Sequence, residues 1–408
     1  MVAQKSYALS NNLKANSFKL KWLFFFSSSL TVMSGAALAP ILPTLKLQFA
    51  QLSYAEFLTK ILLSLPALMV LCLSPVFGYF EDKFPKSRIF RASLFLYFIA
   101  ALTACFVPNI LGLFVFRLLM GVAIAGIMTS VPPLLYEHFQ DSQQRSKALG
   151  QMEAFVEIGG IVFLVLAGIL APYGLIASFS MYLISLPIYL WARSIYKNED
   201  SKKSQVKIAP PPIPRELKFK VLPLYFFMFC FMVFFYLIPT QIPFLMEFHG
   251  IGKSQYIAWT IGASQVTGAI ASLFFSSLKK KFSYPVLLSL SSVLMALGFW
   301  GFGHANVLMH FIISSGISGA GLGLLLPTFT LWILDLSAHK FGDSFHGRLN
   351  AGLSTALFAG QFSSTFFAEL FLKYFHQVQL FTGTGIVLLF LGIAFGLYFL
   401  TRKNLKRF

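Results

Sequence analysis

Long apolar runs dominate the chain, and short polar or charged interruptions separate them. Taking the interruptions as boundaries gives twelve runs, over residues 20–43, 57–80, 88–108, 110–134, 148–171, 174–195, 221–244, 255–278, 286–304, 307–333, 350–372 and 380–401. About 20 apolar residues in a helix cross the hydrocarbon of a bilayer. Lipid offers the backbone no hydrogen bonds, so each run is predicted as a transmembrane α-helix. The fold class expected is an all-α membrane protein with twelve transmembrane helices. The longest interruption, 196–220, is rich in Lys and Ser and then carries Pro210-Pro-Pro-Ile-Pro214. Such a stretch behaves as an extended tether. It divides the chain into an N-terminal six-helix bundle, 20–195, and a C-terminal six-helix bundle, 221–401, with polar tails at 1–19 and 402–408.

Composition agrees: 57% of the 408 residues are hydrophobic and 11% charged, which excludes an ordinary soluble domain. The formal net charge of +18 would suit a nucleic-acid binder, but its placement points elsewhere. With the N-terminus inside, 27 of the 32 Lys and Arg residues fall on the inner side. Four (Lys46, Lys60, Lys253 and Lys373) fall outside, and Arg117 lies within a span. Basic residues mark the cytoplasmic side of membrane proteins, so both termini are expected in the cytoplasm and no nucleic-acid partner is implied. Cys72, Cys105 and Cys230 sit in apolar runs and read as free thiols. Ala37-Leu-Ala39 resembles a leader cleavage site, but Pro40 disfavours cleavage, so a retained first helix is expected.

The stretch Gly78-Tyr-Phe-Glu-Asp82-Lys83-Phe-Pro-Lys86-Ser-Arg88 reads as a charged turn between the second and third runs. It resembles the loop between helices 2 and 3 of the major facilitator superfamily, G-x-x-x-D-(R/K)-x-G-(R/K)-x-(R/K). Gly78, Asp82, Lys83, Lys86 and Arg88 fall on that pattern, and Pro85 replaces the second glycine, which stiffens the turn. Phe114-Val-Phe-Arg117-Leu-Leu-Met-Gly121 resembles the helix-4 pattern R-x-x-x-G. The halves also read as distant copies. Pro40, Pro43 and Phe49 recur as Pro239, Pro243 and Phe248, and Pro132, Arg145 and Gly150 as Pro327, Arg348 and Gly352, at offsets of 195 to 203 residues. Parallel repeats of this kind suit the superfamily. The second copy of the opening motif, around Lys279-Lys-Lys281, has lost its glycine and aspartate.

Ionisable residues inside a span are costly and mark function. Arg117 stays protonated even when buried and requires a carboxylate, an anionic substrate or a wet cavity; the alternative is a side chain snorkelling to the interface. In the resemblance it stands beside the transport path. Glu153 and Glu157, four apart, share a helix face, and a carboxyl in low dielectric suits a proton carrier; the alternative is a static latch to basic residues. Glu137 is placed to pair with Lys86 or Arg88 as a conformational lock. Tyr236, Gln241, Gln265, Trp332 and Gln361 are candidates to line a substrate cavity; interhelical glue is the alternative. The glycines around Gly319 suit either a sliding helix or tight static packing.

The sequence contains no metal constellation, catalytic triad or phosphate loop, so neither an enzyme nor a cofactor is expected. What the resemblance implies is alternating access driven by an ion gradient. The favoured reading is proton-coupled export of a small organic molecule across a bacterial inner membrane by a monomer. An importer, an exporter of an anionic metabolite such as a siderophore, and a non-transporting receptor remain open.

Overall fold

The structure is a computed structural model that describes residues 2–106, 109–138, 142–196, 213–341 and 346–401. Among these it is helical, with fifteen α-helices: α1 (Val2–Ala36), α2 (Leu42–Gln48), α3 (Ala55–Lys83), α4 (Lys86–Phe106), α5 (Ile110–His138), α6 (Ser142–Leu170), α7 (Leu175–Ser180), α8 (Ser185–Ile195), α9 (Arg215–Phe235), α10 (Leu237–Phe248), α11 (Ser254–Lys281), α12 (Tyr284–Gly303), α13 (Leu308–Phe341), α14 (His346–Leu372) and α15 (Gln377–Thr401). Most of the tether at 196–220, and the tail at 402–408, lie outside the described residues. The tail expected over 1–19 is continuous with the first helix.

Three expected spans are broken, and proline places each break. Its ring clashes with the carbonyl four residues back and it has no N–H to donate. α1 stops at Ala36, four residues before Pro40, and a 3₁₀ turn, Ala39–Ile41, leads into α2. α9 stops at Phe235, four before Pro239, and restarts as α10. Between α7 and α8 the chain tightens into 3₁₀ geometry over Met181–Ile184, which holds the residue four before Pro187. The charged turn expected at 78–88 is shorter than it reads. Gly78 to Lys83 belong to α3, and only Phe84 and Pro85 join it to α4, whose first turn closes through the Ile89 N–H on the Pro85 carbonyl at 3.3 Å.

Eleven helical segments among the described residues are long and apolar enough to cross a membrane, against twelve expected. The difference is α14. It forms as a 27-residue helix where a span is expected, but Asn350, Thr355, Gln361, Ser364, Thr365 and Glu369 lower its hydropathy.

Contacts divide the chain into two compact units. The first comprises Met1–Ala37, Met69–Phe163 and Tyr173–Ile208; the second Leu38–Leu68, Leu164–Pro172 and Ala209–Phe408. The boundary therefore cuts through α3 and α6, and the N-terminal part of α3 and the C-terminal end of α6 group with the second half of the sequence. In the first unit α1, α4, α5, α7 and α8 enclose Phe24, Phe90, Tyr97, Phe116, Phe179 and Tyr182, all buried. In the second, α13 packs against both α11 and α12, and α12 against α15.

Lipid is as apolar as leucine, so helices in a membrane are held by close packing and interhelical hydrogen bonds. Both are present. A Cβ on Gly319 or Gly323 would fall on the backbone of Ser264 or Gly268 in α11, and one on Gly321 would meet the Ser291 carbonyl in α12. Thr267 Oγ1 donates to the Gly316 carbonyl at 2.6 Å and Ser272 Oγ to the Gly323 carbonyl at 2.7 Å.

Candidate functional site

In the first unit the site is built around Arg117. Its side chain is 1% exposed, which rules out snorkelling to the interface. Nη1 donates to the Ser34 carbonyl at 2.8 Å and to Ser34 Oγ at 3.2 Å. The cause lies in α1. The last carbonyls of a helix have no partner within it and carry the negative end of its dipole. Because α1 ends at Ala36, the Ser34 carbonyl is available, and Tyr182 Oη also donates to it at 3.2 Å. Tyr97 Oη donates to the Leu30 carbonyl, one turn earlier, at 2.8 Å. Arg117 and two tyrosines thus grip the end of α1 from α5, the turn before α8, and α4.

Glu157 is on α6 at an exposed position, one residue before the exposed Ile158. The side chains of Asp82, Lys83, Glu137 and Glu153 lie outside the described residues; their backbones, and that of Gly78, are helical. Lys86 and Arg88 occupy the first turn of α4.

A second site, in the second unit, was not read as one from the sequence. Lys46 on α2 approaches Glu56 on α3 at 3.1 Å and Glu247 on α10 at 3.5 Å. Lys60, one turn along α3, meets the other oxygen of Glu56 at 2.6 Å. The Lys60 ammonium stands 4.8 Å from the centre of the Phe244 ring, and that of Lys46 5.5 Å. Both are cation–π contacts. Lys60 is 1% exposed, while Lys46, Glu56 and Glu247 are each about one-third exposed. Nearby, Thr365 Oγ1 on α14 donates to Ser64 Oγ on α3 at 3.1 Å, and Phe57 meets Phe366. Helices from both halves of the sequence are therefore bonded to each other here. A signal was available: Glu56 and Lys60 form an i, i+4 pair, and Glu56, Glu247 and Glu369 are the three acids set against the four basic residues expected outside.

The polar candidates of the second half separate. Gln241 on α10 is fully buried, and neither its amide nitrogen nor its oxygen has a hydrogen-bond partner among the described residues. The Gln265 side-chain oxygen is in the same position. Tyr236 caps the junction of α9 and α10, and Gln361 is half-buried on α14. Trp332 stacks on Tyr284, with ring centres 5.4 Å apart and 13° between the planes. Tyr284 Oη donates to Asp335, and Lys279 Nζ sits 3.9 Å from the Tyr284 ring. Asp335 was missed, although it stands 198 residues after Glu137, within the repeat offset. Asp335 is thus the repeat counterpart of Glu137, while the aspartate missing from the loop between helices 8 and 9 has none.

The profile of the Major Facilitator Superfamily matches residues 24–336 and 224–408. The chain belongs to this superfamily. It is an integral multi-pass membrane protein. YncC of Bacillus subtilis (strain 168), a protein named for metabolite transport, is 26% identical over 131 residues, 31% of this chain and 27% of that protein. The chain therefore matches only about a quarter of the length of that relative. Among solved structures, a peptide transporter POT in complex with sulfate is similar with a TM-score of 0.75 at 12% identity, covering 94% of each chain. The nucleoside transporter NupG has a TM-score of 0.69 at 13% identity, over 94% of this chain and 98% of that one. At such identity the likeness is one of fold.

Proposed function

We propose that this protein is a secondary transporter that exports a small organic molecule by alternating access, in exchange for protons, across a bacterial inner membrane. Superfamily membership supports transport. The observation that carries the mechanism is the cluster of Lys46, Glu56, Lys60 and Glu247. An ion-pair cluster with one buried member, Lys60, adds little to a static protein, because the desolvation of that ammonium offsets much of the Coulombic gain. It is useful where two states alternate, since its bonds hold one state and dissolve into water in the other. This cluster ties α2 and α3 to α10 and so serves as the outer gate. A membrane arginine holding the end of α1, as Arg117 does, gives the same first half a second movable anchor.

The substrate reading rests on Gln241, a buried amide whose donor and acceptor await a partner, and on polar α14. A solute with a few hydrogen-bonding groups fits both. The names of the relatives, which refer to metabolites, peptides and nucleosides, agree with a small organic solute. Glu157 and Glu153 are the proton-coupling candidates on α6.

The test is proton movement in proteoliposomes, read with a pH-sensitive dye against a panel of organic solutes, for wild type and Glu157→Gln. The expected result is proton flux opposite to a solute gradient, reduced at least tenfold in the variant while solute binding persists. Flux in the same direction as solute makes the protein an importer. Unchanged flux in the variant removes Glu157 from the mechanism. A solute that binds and is never moved leaves a receptor.

A further inference from the structure

α4 and α8 pack together in the first unit and run antiparallel, with Phe90 against Tyr196 at one end and Phe95 against Tyr189 further along. Between them lies a cavity of about 230 Å³ lined by Arg88, Arg91, Ala92, Phe95, Tyr189 and Arg193. Except for Arg88, these residues play no part in the sites described above.

The lining follows from helical spacing. Arg88, Arg91 and Phe95 recur at three and four residues and so share a face of α4; Tyr189 and Arg193, four apart, share a face of α8. Arg88 lies at the start of α4 and Arg193 at the end of α8, so the guanidinium groups gather at one rim. The aromatic pair lies deeper, Phe95 about 10 Å along the axis from Arg88 and Tyr189 about 6 Å from Arg193. Their ring centres are 5.2 Å apart and tilted by 43°, and Phe95 is 45% exposed. Arg91 Nε donates to the Ser87 carbonyl at 3.3 Å, which holds that side chain along the first turn of α4.

The choice of cation is informative. The chain has 23 lysines and only nine arginines, and three of the nine converge here. A guanidinium matches phosphate oxygens with paired N–H donors, which an ammonium does not. We infer that this cavity seats the phosphate of an anionic phospholipid, with its headgroup on the arginines and the start of an acyl chain over Phe95 and Tyr189. A soluble phosphate would use the charged rim and leave the exposed aromatic floor unexplained. A lipid uses both, because its polarity falls with depth as the lining does. Basic pockets between helices on the cytoplasmic side are where anionic headgroups bind, and the charge asymmetry of the chain puts this rim on that side.

The test is native mass spectrometry of the delipidated full chain, titrated with phosphatidylglycerol or phosphatidylcholine of identical acyl chains. Wild type is expected to retain phosphatidylglycerol selectively. Arg88→Gln, Arg91→Gln and Arg193→Gln combined should weaken that retention roughly a hundredfold, about fivefold per arginine. The single exposed change Arg193→Gln, less exposed to folding defects, should show about fivefold. Replacing Lys279, Lys280 and Lys281 by Gln removes the same charge elsewhere and should leave retention within about twofold of wild type. Equal retention of the two lipids, an equal loss in the lysine variant, or an unchanged arginine variant overturns the inference. Displacement of the lipid by inorganic phosphate in excess also overturns it, in favour of a soluble anion.

Discussion

Removing Glu56 while Lys60 stays in place leaves an ammonium, 1% exposed, against the Phe244 ring and without its 2.6 Å partner. Breaking a buried pair from one side costs more than deleting both members, because the surviving charge is uncompensated. Glu369 also acts electrostatically on Lys60, and Glu56 is itself one-third exposed, so the loss falls below that of a fully buried pair. Glu56→Gln is expected to destabilise the protein by about 1–3 kcal/mol, and the double change Glu56→Gln with Lys60→Met to recover most of it. Thermal melting in detergent measures both; a double variant no better than the single one means that Lys60 contributes more than this pair. Arg117 invites a similar comparison. Its 2.8 Å bond goes to a main-chain carbonyl, which survives any change at Ser34. Ser34→Ala should therefore cost less than about 1 kcal/mol and Arg117→Met about 1.5–3 kcal/mol, the range of a hydrogen bond to a charged group. Equal melting temperatures for the two would remove the anchoring role of Arg117.

At the scale of elements, the glycines of α13 divide between two partners, Gly319 and Gly323 facing α11 and Gly321 facing α12. Both neighbours present backbone, which has no rotamer to escape into. Gly319→Ala is thus expected to force α11 and α13 apart, at a cost of about 1–3 kcal/mol from overpacking. Gly383→Ala on α15 is the control. Its Cβ would meet only the Phe371 ring, at 3.9 Å, so the change should be neutral or stabilise by up to about 1 kcal/mol through helix propensity. Melting of the two variants separates contact from composition. The existence of the helices was legible because bilayer-length apolar runs have few other solutions. Their breaks were only partly legible: Pro40, Pro187 and Pro239 each stand four residues after a break, but Pro132, Pro133, Pro223, Pro243 and Pro327 lie inside unbroken helices. Hydropathy averages hide this, because proline costs a helix its geometry without making the run polar. Hydropathy also misleads at α14, where Ser364 and Thr365 are buried and the other polar groups are half-buried or exposed, so a polar composition accompanies a helix of full length.

For the molecule as a whole, the legible part of the site was the part that local sequence defines. Arg117 was expected to be costly and is buried. What the sequence did not give was the pairing of Lys46 with Glu247, 201 residues apart, because long-range charge pairing leaves no local pattern. Reading Lys46 and Lys60 only as topology markers hid their chemistry. The gate proposed for them has a direct test beside it. Ser64 on α3 and Thr365 on α14 come from different halves of the sequence, and their hydroxyl oxygens are 3.1 Å apart. Cysteines at both positions would place their sulfurs near those oxygens, and a disulfide spans about 2 Å between sulfurs. The paired variant is expected to cross-link under mild oxidation, while single cysteines at 64 or 365 do not. If α3 and α14 must part for solute to enter from outside, cross-linked protein should bind solute from the inner side but lose transport by more than tenfold, and a reductant should restore it. Cross-linked protein that transports at the reduced rate would mean that these helices stay together through the cycle, and the gate would have to be placed elsewhere.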